Sequence, residues 1–201
     1  MTYTREEFTR KYSPFISKLV KGTGILVGTV IAQAILESSG NYYTDGKWRV
    51  GGSKLSQKAN NYFGIKCHNW KGKVYNIDTG EYTKSGEKYI SRGSCFRAYD
   101  NVEDSIRDYV KFLKSNPRYA KAGVFQADTV AQQATALKAA GYATAPNYAG
   151  TVNSVYEGVK DFIIETTKFQ LKFFKKYWWA VLLGTAGVVG IVYVTVKSKS
   201  K

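Results

Sequence analysis

Apolar residues recur at helical spacing in five stretches of the chain, and the intervals between them are polar or punctuated by glycine. The first stretch opens on Thr4-Arg5-Glu6-Glu7, a capping-box arrangement, and continues through Phe8, Tyr12, Phe15, Ile16, Leu19 and Val20. This predicts an N-terminal helix that Pro14 kinks or divides. After the turn Lys21-Gly22-Thr23-Gly24, the run Ile25 to Leu36 is apolar nearly all round and predicts a central buried helix. It leads into Glu37-Ser38-Ser39-Gly40, with Gly40 expected as a C-terminal glycine cap. Asp100-Asn101-Val102-Glu103 caps a third helix through Ile106, Tyr109, Val110 and Leu113. Asp128 is expected to cap a fourth, through Val130, Ala134 and Leu137 to Gly141. A fifth carries Val152, Val155, Tyr156, Val159, Phe162 and Ile163.

Between Asn41 and Arg97 the period changes. Glycines separate short β-prone segments, Lys73–Ile77, Glu81–Thr83 and Lys88–Ile90, with a hairpin turn expected near Lys84-Ser85-Gly86. The expected fold class is therefore mostly α with a small, irregular β-lobe, an α+β domain.

The C-terminal region differs again. Tyr177 to Val196 is twenty residues without a charge, about 30 Å of helix at 1.5 Å per residue, enough to cross a bilayer's hydrocarbon core. Tyr177, Trp178, Trp179 and Tyr193 sit near its ends and lysines flank both sides. The sequence thus predicts a catalytic or binding domain over 1–157, an amphipathic basic connector over 158–176, one transmembrane helix over 177–196 and a basic tail over 197–201. The lipid bilayer is an expected partner through 177–196. The N-terminus lacks the apolar core of a signal peptide; taken with the family resemblance that the domain's motifs carry, the expected location is the membrane of a lipid-containing phage virion or a bacterial cell envelope.

Composition narrows the chemistry. A formal charge of +15 over 201 residues favours acidic envelopes or polyanions, but zinc-finger spacing, RNP-type aromatics and an Arg-rich helix are missing, so nucleic acid is not an expected partner. Sixteen tyrosines suit carbohydrate stacking as well as a core. Cys67, Cys95 and the single His68 cannot complete a four-ligand zinc site without carboxylates, so no metal and no cofactor are expected. The two cysteines bracket the β-lobe. Their sulfurs are expected to approach across its base, closing a loop of about 29 residues if oxidised; in a reducing cytosol they would stay two small buried thiols.

Glu37 is the sharpest single feature. It follows a run whose only polar members are Thr29 and Gln33, and it lies in the last helical turn, where the helix dipole disfavours an ionised acid. Burial acts in the same direction, and a raised pKa is what a general acid needs near neutral pH. The alternative is an acid that escapes into solvent past the helix end. Glycoside cleavage uses two carboxylates; Glu81 and Glu87 in the lobe are candidates for the second, with Asp45, Asp78 and Asp100 less central, and composition does not choose among them.

AQAILESSGN (Ala32–Asn41), NNYFGIK (Asn60–Lys66), TGEY (Thr79–Tyr82), CFRAYDNVEDSIRDYVKFL (Cys95–Leu113) and GYATAPNYA (Gly141–Ala149) resemble, in this order, the glucosaminidases of glycoside hydrolase family 73. The resemblance implies a lysozyme-like fold and cleavage of the β-1,4 bond after N-acetylglucosamine in peptidoglycan glycan strands. It implies Glu37 as general acid, Glu81 as base or water-positioning residue, Tyr142 and Tyr148 lining the cleft, and Asn61 and Phe63 in a sugar-facing or structural loop. Ala145 departs from the family pattern, which has Asp there. The competing readings are a muramidase or lytic transglycosylase using the same acid, and a non-catalytic wall-binding or assembly protein.

Overall fold

The computed structural model describes residues 1–42, 46–83, 85 and 87–163. Helix α1 spans Arg5–Val20 and α2 Val27–Ser38; a short α3, Lys54–Ala59, precedes the antiparallel strands β1, Val74–Tyr82, and β2, Lys88–Arg97. Then follow α4 (Val102–Ser115), α5 (Pro117–Lys121), a single 3-10 turn at Val124–Gln126, α6 (Val130–Ala139) and α7 (Tyr148–Glu157). Residues 1–163 form one compact unit.

The organising element is α2. Nine of its twelve residues are buried, so it needs covering on every side, and α1, α6 and α7 pack against it. Gly28 lets α7 approach closely, since a Cβ there would lie 2.6 Å from the Tyr156 ring. The start of α2 is fixed by the buried Gln133 of α6. Its amide donates to the carbonyls of Gly24 (2.8 Å) and Val124 (2.7 Å) and accepts from the Leu26 N–H (2.9 Å). The capping box at Thr4 and Glu7 and the Asn101 cap form as the sequence predicts. The apolar faces of α4 and α6 close the core through Ile106, Tyr109, Leu113, Ala134 and Leu137.

Several expectations are corrected. Pro14 does not divide α1, which runs unbroken for sixteen residues. The proline removes one backbone bond, but Phe8, Tyr12, Ile16 and Val20 on the same face are buried and hold both halves to the core. Gly40 is not a left-handed helix cap: Ser39 ends α2, and Gly40 pairs with Arg49 in an isolated bridge. Glycine is required there by crowding, because a Cβ would meet Gly52 O at 2.8 Å. The cap of α6 is Thr129, in a capping box with Gln132, one residue after Asp128. The fifth helix closes at Glu157 with Gly158 as its cap; a helical stretch resumes at 160–163, and Val159, Phe162 and Ile163 still pack on the core.

Of the lobe expected over Asn41–Arg97, Lys54–Ala59 is the helix α3, and among the described residues only Val74–Arg97 is β, one long hairpin paired from Val74↔Arg97 to Tyr82↔Lys88. Gly80 does not interrupt it but pairs with Ile90 in the ladder. The irregularity is concentrated between Ile77 and Thr79, where Gly93 takes a left-handed conformation and donates its N–H to Asp78 Oδ1 at 2.7 Å. The Cys67–Cys95 disulfide closes the base of this hairpin, with a Cα–Cα distance of 5.4 Å.

A helical body around a buried helix, with the hairpin inserted between α3 and α4, agrees with the α+β lysozyme-like class. The transmembrane part of the expected fold class does not stand. No helix among the described residues is long and apolar enough to cross a membrane, and the expected span 177–196 lies outside the described residues.

Candidate active site

Glu37 is the penultimate residue of α2. The helix end beneath it is stitched down. Ser38 Oγ donates to Ala34 O (2.6 Å) and Ser39 Oγ to Ile35 O (2.5 Å), while Gly51 N–H donates to Ser38 Oγ (3.0 Å). These hydroxyls add second bonds to carbonyls of the last turn, where Ile35 O already accepts the Ser39 N–H (3.1 Å), and no lysine or arginine occupies that turn to attract a carboxylate.

Four other parts of the chain converge on this carboxyl. From the loop after α3, Gly64 faces it: a Cβ at Gly64 would lie 3.7 Å from Glu37 Oε2. Gly64 has φ +63°, a conformation that suits glycine, and so the backbone turns beside the acid without placing a side chain on it. From α7, the Tyr148 hydroxyl faces Glu37 and favours its ionised form. Between them stands Tyr142, whose hydroxyl donates to Phe63 O at 2.8 Å and whose ring centroid lies 6.1 Å from that of Tyr148. From α4, the Tyr109 ring stacks on Phe63 at 4.1 Å and meets Tyr142 edge-on at 6.0 Å.

The electrostatics follow from this enclosure. Burial pushes the Glu37 carboxyl up to about 7, against the opposing pull of the Tyr148 hydrogen bond, which favours the carboxylate. Burial also raises Tyr109, Tyr142 and Tyr148 well above the ordinary phenol range, so all three stay neutral at any working pH. A carboxyl titrating near 7 is half protonated at neutral pH and can deliver a proton to a bound oxygen.

The other residues singled out by sequence fall into different places. Asn61 is fully buried; its amide donates to Ile65 O (3.0 Å) and Arg97 O (2.9 Å) and its oxygen accepts from the N–H groups of Phe63 and Ile65. It shapes the loop that carries Phe63 and Gly64. Phe63 is itself buried, its ring against Tyr109. Glu81 is placed by its backbone in β1, opposite Tyr89 and one residue before the strand ends. Gln33, Gly64 and Tyr109 were missed as site residues. Gln33 had a signal, a polar side chain one turn before Glu37 in an otherwise apolar helix.

Two concavities lie away from Glu37. One of about 580 Å³ sits between the 3-10 turn and α6, lined mainly by alanines, and one of about 450 Å³ lies beside Trp70 and Tyr99. Among the described residues no group of three or more His, Cys, Asp or Glu is placed to hold a metal ion.

Residues 13–161 match the family described as mannosyl-glycoprotein endo-beta-N-acetylglucosaminidase, a span that contains all five sequence segments noted above. The chain belongs to the glucosaminidase family of glycoside hydrolases. Within it, the chain is 32% identical over 160 residues to the peptidoglycan hydrolase FlgJ of Vibrio parahaemolyticus, covering 77% of this chain and 47% of that protein. It is 35% identical over 136 residues to the exo-glucosaminidase LytG of Bacillus subtilis, covering 66% and 44%. The crystal structure of a peptidoglycan hydrolase mutant from Sphingomonas sp. A1 superposes with a TM-score of 0.62 at 30% identity, covering 82% of this chain and 99% of that one. The matched region thus spans less than half the length of these two curated glucosaminidase-family relatives.

Proposed function

We propose that this chain hydrolyses peptidoglycan, cleaving the β-1,4 bond after N-acetylglucosamine with Glu37 as general acid. One observation carries the assignment: a carboxyl at a helix end, faced by a bare glycine backbone and a neutral tyrosine, whose pKa burial raises to about 7. The printed names of FlgJ, LytG and the Sphingomonas hydrolase supply the substrate class. The chemistry needs a proton on the departing glycosidic oxygen as its bond to C1 lengthens and positive charge spreads over the sugar ring. Glu37 provides that proton. The product is completed by water attacking C1, its proton taken by a base for which Glu81 in the hairpin is the candidate, or after assistance from the sugar's own acetamido group.

Digestion of purified peptidoglycan by the full chain, with mass spectrometry of the new ends, tests the reading. A new reducing N-acetylglucosamine end is expected. A reducing N-acetylmuramic acid end or an anhydro-sugar would overturn the bond assigned, and glycan binding without turnover would overturn the catalysis. The pH profile is a second check. The acid works while protonated, so kcat/KM should fall about tenfold per pH unit above roughly 7, in step with loss of the Glu37 proton. A profile flat to pH 9 would remove Glu37 from the role.

A further inference from the structure

Gln33 sits one turn before Glu37 on α2 and is fully buried. A buried amide costs free energy unless its atoms are paired. Here they are paired by two tyrosines distant in sequence. The Tyr109 hydroxyl of α4 donates to Gln33 Oε1, and Gln33 Nε2 donates to the Tyr148 hydroxyl of α7 at 2.6 Å. These two bonds impose a direction. With the Tyr109 proton on Oε1, the amide must present its NH₂ to Tyr148. The Tyr148 oxygen accepts that hydrogen, and its own proton is left for the Glu37 carboxyl.

Direction matters because a protonated acid has one proton and two oxygens. If Tyr148 were the acceptor, Glu37 would hand its proton to a neighbour that does no chemistry. With Tyr148 as donor, one carboxyl oxygen is occupied as an acceptor, and the proton of the acid sits on the other, free to face the glycan. We propose that Gln33, held by Tyr109, is a positioning residue that fixes Tyr148 as donor to Glu37 and so aims the proton of the acid at the substrate.

This rests on the reading of Glu37 as the acid. The titratable groups facing Glu37 are Tyr148 from α7, Tyr142 from the segment before it and Tyr109 from α4, all neutral, and the loop after α3 contributes only Gly64. Among the described residues, therefore, burial sets its titration, opposed by the Tyr148 hydroxyl.

The decisive variant is Tyr109→Phe, which keeps the ring against Phe63 and removes only the hydroxyl that orients the amide. Gln33 can then turn Oε1 towards Tyr148, drawing the tyrosine's proton away from Glu37. The Glu37 titration, followed by carbon-13 NMR of the carboxyl in the full chain, should move up by about half a unit or more. The alkaline limb of kcat/KM should move with it, and kcat should fall about tenfold. Gln33→Met should shift the titration the same way, and adding Tyr109→Phe to it should change nothing further. Tyr148→Phe, which deletes the final bond, gives the reference shift. If Tyr109→Phe lowers only the melting temperature while Tyr148→Phe moves the Glu37 titration, Gln33 is a filler of space and the proposal is overturned. The NMR readout stands apart from turnover: an active Glu37→Gln variant would defeat the assignment of the acid, whereas an unmoved titration in Tyr109→Phe defeats the relay alone.

Discussion

The two glutamates that the sequence offers for catalysis sit in regions of opposite construction. Glu37 lies in the helical body, where α2, α4, α7 and the loop after α3 all contribute a neighbour. Glu81 lies in a hairpin of only two strands, with Val74, Tyr89 and Ile90 about half or more exposed. Two strands alone are marginal in water, so the hairpin depends on its base. There the disulfide is flanked by backbone bonds from Cys67 N–H to Cys95 O (2.9 Å), Arg97 N–H to Ile65 O (3.0 Å) and Ala98 N–H to Lys73 O (2.8 Å). A pKa can be moved far only where several elements exclude water together. The body encloses Glu37 in this way, whereas the hairpin places Glu81 by its backbone in a two-stranded ladder.

The largest expected effect separates the two directly. Glu37→Gln should lower kcat by about 10²–10⁴ with folding and glycan binding intact. Glu81→Gln should cost less, under about 10². Steady-state turnover of labelled peptidoglycan measures both. Equal losses would mean that the hairpin contributes as much to the chemistry as the body does, and a near-normal Glu81→Gln would favour assistance by the substrate's acetamido group.

Next come the ties at the base of the hairpin. Replacing Cys67 and Cys95 by serine together should lower unfolding free energy by about 3.5 kcal/mol, the chain-entropy value for a loop of this length. Urea denaturation gives the number, and the Glu37 titration should not move. Arg97→Leu should cost about 3 kcal/mol. It leaves Asp108 buried without the guanidinium that now bonds both its oxygens (3.0 and 2.8 Å) and packs against Trp70 and Phe112. A shift of the Glu37 titration in either variant would show the two regions to be coupled.

What could be read from sequence divides along the same line. The core of the body was legible because its signals are local: the apolar run of α2, the Thr4 and Asn101 caps, and an acid at a helix end. Glu37 needed only the helix dipole and its apolar approach. Gln33 was not legible as a site residue, since its partners lie 76 and 115 residues away and only the packing of α4 and α7 on α2 brings them in. Gly40 misled because glycine after a helix usually marks a left-handed cap, and here close packing on Gly52 requires it instead. Pro14 leaves α1 undivided because the buried face of the helix outweighs the local cost. In the hairpin, Gly80 read as a break, but cross-strand pairing carries the ladder past it. The candidate site was half legible for this reason: the Glu37 carboxyl is written in one helix, while its enclosure comes from α4, α7 and the segments that carry Gly64 and Tyr142.

The smallest expected effect is at Lys73, whose ammonium lies 2.5 Å from Asp100 Oδ1 beside the start of β1. It looks like a counterpart of the Arg97–Asp108 pair, since both link the hairpin's base to the region of α4. The difference is water. Lys73 and Asp100 are 73% and 71% exposed, Arg97 and Asp108 12% and 9%. An exposed pair gains little in high dielectric, gives up side-chain freedom and is screened by salt. Lys73→Ala should therefore shift the melting temperature by no more than about 1–2 °C at low salt, and by nothing measurable at high salt. Its backbone carbonyl, which accepts from the Trp70 indole N–H (2.9 Å) and the Ala98 N–H (2.8 Å), survives the substitution and keeps the turn in place. A loss as large as that of Arg97→Leu, persisting in salt, would show that charge rather than burial holds the hairpin to the body.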